Sequence, residues 1–195
     1  MESERSLEEL LQELSPEQRE LMRGYADYLL ASPPERPKAA TGDEPGPEAE
    51  VTLREITSET VYQICRLSDT LTSPKKFMVA QNAVSIAQAH FEPHAWFRAV
   101  YADETPVGFI MLYDSPEEKE YFLWRFMIAE PHHGKGFGRR ALELLIDYVR
   151  TRPDATVLET SCGQGAGSPE GFYERLGFRR NGKIIDDEVV MELVL

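Results

Sequence analysis

Phe122–Val149 reads FLWRFMIAEPHHGKGFGRRALELLIDYV. The opening FLWRFMIA is apolar and aromatic apart from Arg125, the make-up of a largely buried strand. From Phe137 onward, Ala141, Leu144, Leu145, Tyr148 and Val149 recur at helical spacing. Between strand and helix lie Gly134, Gly136 and Gly138, which remove side chains where the backbone must turn. The first amides of a helix have no intrahelical acceptor, and the helix dipole makes that end favourable for anions. Lys135, Arg139 and Arg140 add positive charge, and no acidic residue lies between His132 and Arg140. Strand, glycines, cations and helix in this order predict a loop that grips a phosphate group.

On either side of this unit the chain alternates strand and helix signals. VTLREI (51–56) reads as a strand, and Thr57 or Ser58 can cap a helix reaching about Ser68. LTSPKKFMVAQ reads as a loop, and Asn82 is expected to cap a short helix, AVSIAQAH. FRAVYAD (97–103) and PVGFIMLYD (106–114) form two strands around a tight polar turn, an antiparallel hairpin. Beyond the central unit come a strand at 156–161, a helix opened by Ser168-Pro169-Glu170 and closed by Gly177, and a final strand at 188–195. Together these elements predict a mixed α/β sheet flanked by helices.

The first fifty residues differ in character. Ser6 can cap a helix from Leu7 to about Leu14, and Ser15-Pro16-Glu17-Gln18 restarts a helix that runs to about Leu30. Residues 32–50, SPPERPKAATGDEPGPEAE, hold Pro, Gly, Ala and Glu without an apolar run. The expected organisation is a helical extension at 1–31, a flexible linker at 32–50 and a catalytic-size domain at 51–195.

Composition narrows the function. The 195 residues carry 21 Lys and Arg against 34 Asp and Glu, a net charge of -13. Residues 1–50 contribute 13 of the acids and 5 of the bases, so the main domain is only mildly acidic. Nucleic-acid binders are usually basic, so no nucleic acid is expected as partner. No apolar stretch approaches the ~20 residues of a membrane span, and MESERSLEELLQEL has no secretory-signal character. A cytoplasmic protein without membrane contact is expected, with Cys65 and Cys162 as reduced thiols.

Several phosphate-binding patterns compete for the central loop. The GxxxxGK[ST] pattern of a nucleotide-triphosphate loop is absent. Gly136-Phe137-Gly138-Arg139-Arg140-Ala141 formally fits a dinucleotide G-x-G-x-x-A, and Glu159 lies about 20 residues further, where an acid would meet a ribose. Against that fit, the loop from Ala129 to Gly136 is long, and too little chain follows to complete such a fold. The stretch His133-Gly134-Lys135-Gly136-Phe137-Gly138 resembles motif A of the GNAT superfamily of N-acetyltransferases, Arg/Gln-x-x-Gly-x-Gly/Ala, with His133 where Arg or Gln is usual. Gly171-Phe172-Tyr173-Glu174-Arg175-Leu176-Gly177-Phe178 resembles the family's F/L-Y-x-x-x-G-F segment, although Ala166 stands where an Asn is frequent. The run YFLWRFMIAEPHHGKGFG further resembles bacterial spermine/spermidine N-acetyltransferases.

The resemblance implies a mixed sheet whose parallel strands 121–129 and 156–161 splay apart to admit acetyl-CoA as co-substrate. Backbone groups of Phe126, Met127 and Ile128 would pair with the pantetheine arm, and an N–H at Phe126 would polarise the thioester carbonyl. His133, Gly134, Lys135, Gly136, Phe137, Gly138 and Arg139 would hold the diphosphate. Tyr173 matches the family's general acid for the departing thiolate; packing on the core is its other reading. The resemblance also implies a homodimer and a small-molecule amine acceptor, a polyamine foremost. Another amine (an antibiotic, an amino acid, a protein N-terminus) and a non-catalytic acyl-CoA-binding module remain as alternatives.

The acceptor side is less defined. Trp124 stands where some polyamine acetyltransferases place an acid, so Glu159, Glu130, Asp114 and Glu92 are the carboxylates considered as base. Trp124 and Tyr121 can line the acceptor pocket or pack the core, and Glu159 is a further candidate for substrate contact. No metal is expected: His90 and His94 are separated by a helix-breaking Pro93, and His132 and His133, being adjacent, point apart. Cys162 is not expected to carry an acyl group, and Glu143 with Asp147 reads as a solvated helix face.

Overall fold

The computed structural model describes Ser15 and residues 44–195. The expected helices of the first 31 residues, Ser15 apart, and the expected linker as far as residue 43 lie outside the described residues. The strands are β1 (Val51–Arg54), β2 (Ala95–Ala102), β3 (Thr105–Ser115), β4 (Glu120–Ile128), β5 (Val157–Cys162), β6 (Arg179–Ile185) and β7 (Glu188–Val194). The helices are α1 (Val61–Arg66), α2 (Asn82–Ala89), α3 (Phe137–Arg150) and α4 (Glu170–Glu174), with short 3₁₀ turns between several of them.

The strands form one sheet in the order β1-β2-β3-β4-β5-β7-β6. Only β4 and β5 run parallel; the other neighbours are antiparallel. One sheet face packs on α3, where Phe137, Ala141, Leu142, Leu145 and Val149 are fully buried. The opposite face packs on α1, with Ile64, Leu67 and Leu71 meeting Phe109, Met111 and Met127. The mixed sheet with splayed parallel strands and flanking helices is therefore the architecture expected from the sequence.

A bulge in β4 sets the site. Met111 pairs with Arg125 but Leu112 pairs with Leu123, so Trp124 is an extra residue in β4. Tyr121 and Leu123 face the α3 side, whereas Trp124 and Met127 face α1. Phe126 and Ile128 return to the α3 side. Were the same residues paired without a bulge, strict alternation would exchange the faces of everything beyond Trp124.

Several local expectations change. Asn82 does not cap α2; Gln81 holds that position, and Asn82 is fully buried. Its amide donates to Ser68 Oγ at 2.8 Å and its Nδ2 to the Ile64 carbonyl at 2.8 Å, which joins α2 to α1. β6, RRNGKII, gave no strand signal because it is charged and carries a central glycine. It forms at the sheet edge, where one-sided pairing with β7 tolerates a register shift between Arg180 and Ile184 and a left-handed Gly182 at φ +88°. The end of the expected linker packs on the domain: Ala49 is buried, and Arg140 donates to the carbonyls of Ala49 and Pro47, both at 2.7 Å.

Candidate active site

β4 and β5 pair at Phe122 with Glu159 and at Leu123 with Thr160, and separate beyond. The buried Thr160 hydroxyl donates to the Leu123 carbonyl at 3.0 Å and pins the apex of the resulting gap. A cavity of about 1160 Å³ opens there, lined by β4 from Phe122 to Ile128, the glycine loop, α4 and the β6–β7 turn.

The direction of the β4 backbone follows from its register. Ala129 donates to Val107 at 2.8 Å, and Gly108 sits opposite Ile128. Backbone groups alternate along a strand, so Met127 exchanges its bonds with Phe109 while Phe126 and Ile128 turn theirs toward the gap. The Ile128 carbonyl accepts from His133 Nε2 at 2.7 Å, in keeping with that direction. Met127 thus lines the cavity but holds its main-chain groups against β3, unlike the two residues beside it.

The glycine loop presents a row of amides. Gly134 and Gly136 adopt φ +77° and +80°, a left-handed backbone that other residues enter at a penalty. Arg140 is the first amide to find an acceptor, Gly136 O at 3.2 Å. From Gly134 to Arg139, the amides meet no acceptor among the described residues. Six donors at the start of a 14-residue helix thus stand without an acceptor among the described residues.

The side chains of this loop divide. Lys135 sits 3.6 Å from Glu44, and Arg139 sits 3.6 Å from Glu143 while donating to the Arg175 carbonyl at 3.1 Å. Arg140 points to residues 47–49 and is a structural strut, not part of the cationic rim expected of it. His133 braces the loop: Nε2 meets Ile128 O, and Nδ1 lies 3.1 Å from Lys75 Nζ. Its ring is thus committed to protein partners instead of reaching out as the Arg or Gln of the motif would. The neighbouring His132 is pushed down in pKa by burial and then by Lys135, so it is neutral at pH 7.

Tyr173 lies on α4 against the cavity, 5% exposed. Its ring packs between Phe172 and Phe178, each 5.5 Å away between centroids. Burial drives its phenol well above the ordinary tyrosine value, with the Thr160 hydroxyl opposing that shift in part. Phe172 in turn stacks on Phe126 at 6.0 Å, which ties α4 to the gap-facing part of β4.

On the α1 side of the gap the cavity meets Trp124, Arg125 and Glu188. Glu188 was not among the carboxylates considered from sequence, since it opens a strand with no motif around it. It accepts from Ser161 Oγ, and its charge acts on both Tyr173 and Arg125.

The four carboxylates singled out by sequence are engaged elsewhere. Glu159 accepts from Asn181 Nδ2 at 2.7 Å and Lys183 Nζ at 2.9 Å, outside the cavity. Glu130 accepts both the amide and the hydroxyl of Thr72 at 2.7 Å. Asp114 holds Arg152 at 2.9 Å and Tyr148 at 2.7 Å, and Glu92 holds His94. Tyr121 also leaves the expected acceptor pocket: it is 2% exposed, and its hydroxyl donates to the Pro153 carbonyl. Trp124 lines the cavity and packs on the α1 core at once. The Cys162 thiol is buried and pushed up in pKa by that burial, the opposite of an activated nucleophile. No cluster of three metal-ligating side chains occurs among the described residues, and no helix among them is long and apolar enough to cross a membrane.

The sequence profile of the acetyltransferase (GNAT) family matches residues 59–178. The chain belongs to the GNAT acetyltransferase family. The match takes in β4, the glycine loop and α4, the elements that build the gap. An L-2,4-diaminobutyric acid acetyltransferase from Streptomyces avermitilis is 32% identical over 92 residues, 47% of this chain and 51% of that protein. The chain thus spans about half the length of the curated relative it matches. Among solved structures, a domain from Methanocaldococcus jannaschii aligns with a TM-score of 0.62 at 13% identity, over 76% of this chain and 100% of that one. An acetyltransferase from Thermus thermophilus aligns at 0.57 and 18%, over 74% and 97% of the two chains. A PaiA N-acetyltransferase from Thermoplasma acidophilum, in complex with coenzyme A, aligns at 0.53 and 17%, over 75% and 99%. At these identities the three neighbours speak for a shared fold alone.

Proposed function

We propose that this protein is an acetyl-CoA-dependent N-acetyltransferase that transfers an acetyl group to the primary amine of a small molecule by direct attack on the thioester. The observation that carries the reading is the row of amides from Gly134 to Arg139 that have no acceptor among the described residues, beside a strand whose Phe126 and Ile128 turn their backbone toward an open gap. A diphosphate supplies the acceptors those amides lack, and an extended pantetheine arm supplies the missing strand partner. A neighbour of the same fold, the PaiA N-acetyltransferase from Thermoplasma acidophilum, was solved in complex with coenzyme A.

The chain's own groups then divide the chemistry. Phe126 N–H donates to the thioester carbonyl oxygen and stabilises the charge that develops there. Glu188 accepts the proton that an alkylammonium must lose before its nitrogen can attack, since such amines have pKa values near ~10. The nitrogen bonds to the carbonyl carbon, the carbon–sulfur bond breaks as Tyr173 gives its proton to the sulfur, and the second proton of the attacking nitrogen then restores the Tyr173 phenol. The products are an acetamide and free coenzyme A. Trp124 walls the acceptor side of the gap.

A polyamine is the acceptor suggested by the resemblance of residues 121–138. The Streptomyces relative, named for diaminobutyric acid, supports a short-chain diamine more broadly. Cytoplasmic location and a homodimer are part of the same proposal, resting on the family resemblance. Release of free thiol from acetyl-CoA tests the activity against a panel of polyamines, diamines and amino acids. Turnover with any small amine supports it. Tight binding of coenzyme A without turnover on any amine would replace it by an acyl-CoA-binding module, and no binding at all would remove both readings.

A further inference from the structure

Arg125 stands beside the β4 bulge, half-buried, and lines the cavity together with Trp124 and Glu188. Its guanidinium is held by neutral groups. One terminal nitrogen donates to the Trp124 carbonyl at 2.8 Å and the other to Gln88 Oε1 at 3.4 Å. Its Nε is buried and has no partner. Among the described residues no carboxylate comes within 4.0 Å of it.

Arg98 on β2 gives the contrast. It too donates to the preceding carbonyl, of Phe97 at 2.8 Å, and lies over the preceding indole, Trp96, at 4.7 Å. Arg98, however, has Glu55 at 3.4 Å. Arg125 has the same backbone anchor and the same indole, Trp124 at 5.2 Å, without the acid. A guanidinium cannot shed its charge, and one withdrawn from water without a counter-ion is costly, so the site is poised for an anion.

Glu188 provides the other half. It lines the same cavity as Arg125 without coming within 4.0 Å of its guanidinium, so the cavity carries a separated cation and anion. A molecule with both an amine and a carboxylate complements that pair, with the indole of Trp124 against the short chain between them. A polyamine would instead place a second ammonium near an unpaired guanidinium, which disfavours it.

We infer that the acceptor is an amino acid carrying a nucleophilic side-chain or α-amine, its carboxylate bound by Arg125 while the reacting amine lies at Glu188. The inference rests on the acetyltransferase reading and narrows its acceptor.

The test uses pairs that differ only by the carboxylate: 2,4-diaminobutyrate against 1,3-diaminopropane, ornithine against 1,4-diaminobutane, lysine against 1,5-diaminopentane. Thiol release by the full-length protein is expected to give the amino acid of the best pair a kcat/KM at least about 10-fold, and up to on the order of 100-fold, above its diamine. In Arg125→Gln that ratio is expected to fall to within about 3-fold of unity through loss of the amino acid alone, with the KM for acetyl-CoA unchanged. Diamines or polyamines turned over as well as the amino acids by wild-type protein would overturn the inference and leave the acetyltransferase standing. Equal losses on both members of a pair in Arg125→Gln would also overturn it. Should the variant fail to fold, the wild-type ratio alone decides. Absence of turnover on every amine would overturn the activity itself.

Discussion

The Ser161 hydroxyl donates to Oε2 of Glu188 at 2.5 Å, across the junction of β5 and β7 at the cavity wall. The contact fixes the orientation of a carboxylate that, among the described residues, has no lysine or arginine within 4.0 Å. Glu188 thus lines the cavity with one carboxylate oxygen held by a hydroxyl and, unlike Glu159 on the same sheet, bonded to no lysine among the described residues.

Glu188→Gln is therefore expected to lower kcat by about 10²- to 10⁴-fold at pH 7, with acetyl-CoA affinity nearly unchanged. The deficit should shrink as pH rises, because free amine becomes available without a base. Steady-state kinetics from pH 6.5 to 9.5 check this, and a variant as fast as wild type would exclude Glu188. Glu159→Gln is expected to leave kcat/KM within about 2-fold of wild type, since the residue lies outside the cavity.

Tyr173→Phe should slow turnover while leaving the affinity for acetyl-CoA nearly unchanged. Burial raises the phenol of Tyr173, so the folded protein keeps it protonated past the ordinary tyrosine value of about 10. The proton donor is consequently present throughout neutral and mildly alkaline pH. Loss of wild-type kcat between pH 7 and 9 that disappears in Tyr173→Phe would contradict this placement.

Gly136 takes φ +80° with open space where a Cβ would sit. Gly136→Ala thus meets no clash, and its penalty is backbone strain of about 1–2 kcal/mol. Relief of that strain turns the following amides, so coenzyme affinity should drop by about 10-fold. Calorimetric titration and thermal unfolding together separate the two effects; unchanged affinity would mean that the loop does not hold the diphosphate.

The hydroxyl and amide of Thr72 hold the Glu130 carboxyl below the ordinary carboxylate range. A depressed value means that this latch is present above the unfolded pKa and is lost as pH falls through the folded one. The Thr72 amide proton should follow that titration in NMR spectra, with a midpoint below the ordinary glutamate value. A midpoint at or above that value would show that the latch contributes nothing.

Asn82 should matter for stability. Asn82→Ala removes the Nδ2 bond to the Ile64 carbonyl, which keeps the Leu67 amide as a donor, so the loss is that of one buried hydrogen bond, about 0.5–1.5 kcal/mol. A shift in the urea midpoint without a change in its slope is expected.

The segment from Phe122 to Val149 determined much by itself. An apolar run, three glycines and a helical stripe allow few solutions, and motif spacing placed Tyr173 and the amide row in one family of folds. These are local properties, set by backbone sterics and by which side chains can leave water. What the sequence withheld depends on contacts between distant segments. Whether Glu130, Asp114, Glu92 or Glu159 is free to act depends on Thr72, Arg152, His94 and Lys183, none of them predictable as partners from local pattern. Glu188 and Arg125 acquire meaning only where the β4 bulge and the β6–β7 turn reach one cavity. One inserted residue, Trp124, decides which face every later β4 side chain takes, and that shift is fixed by pairing with β3, which no single strand encodes.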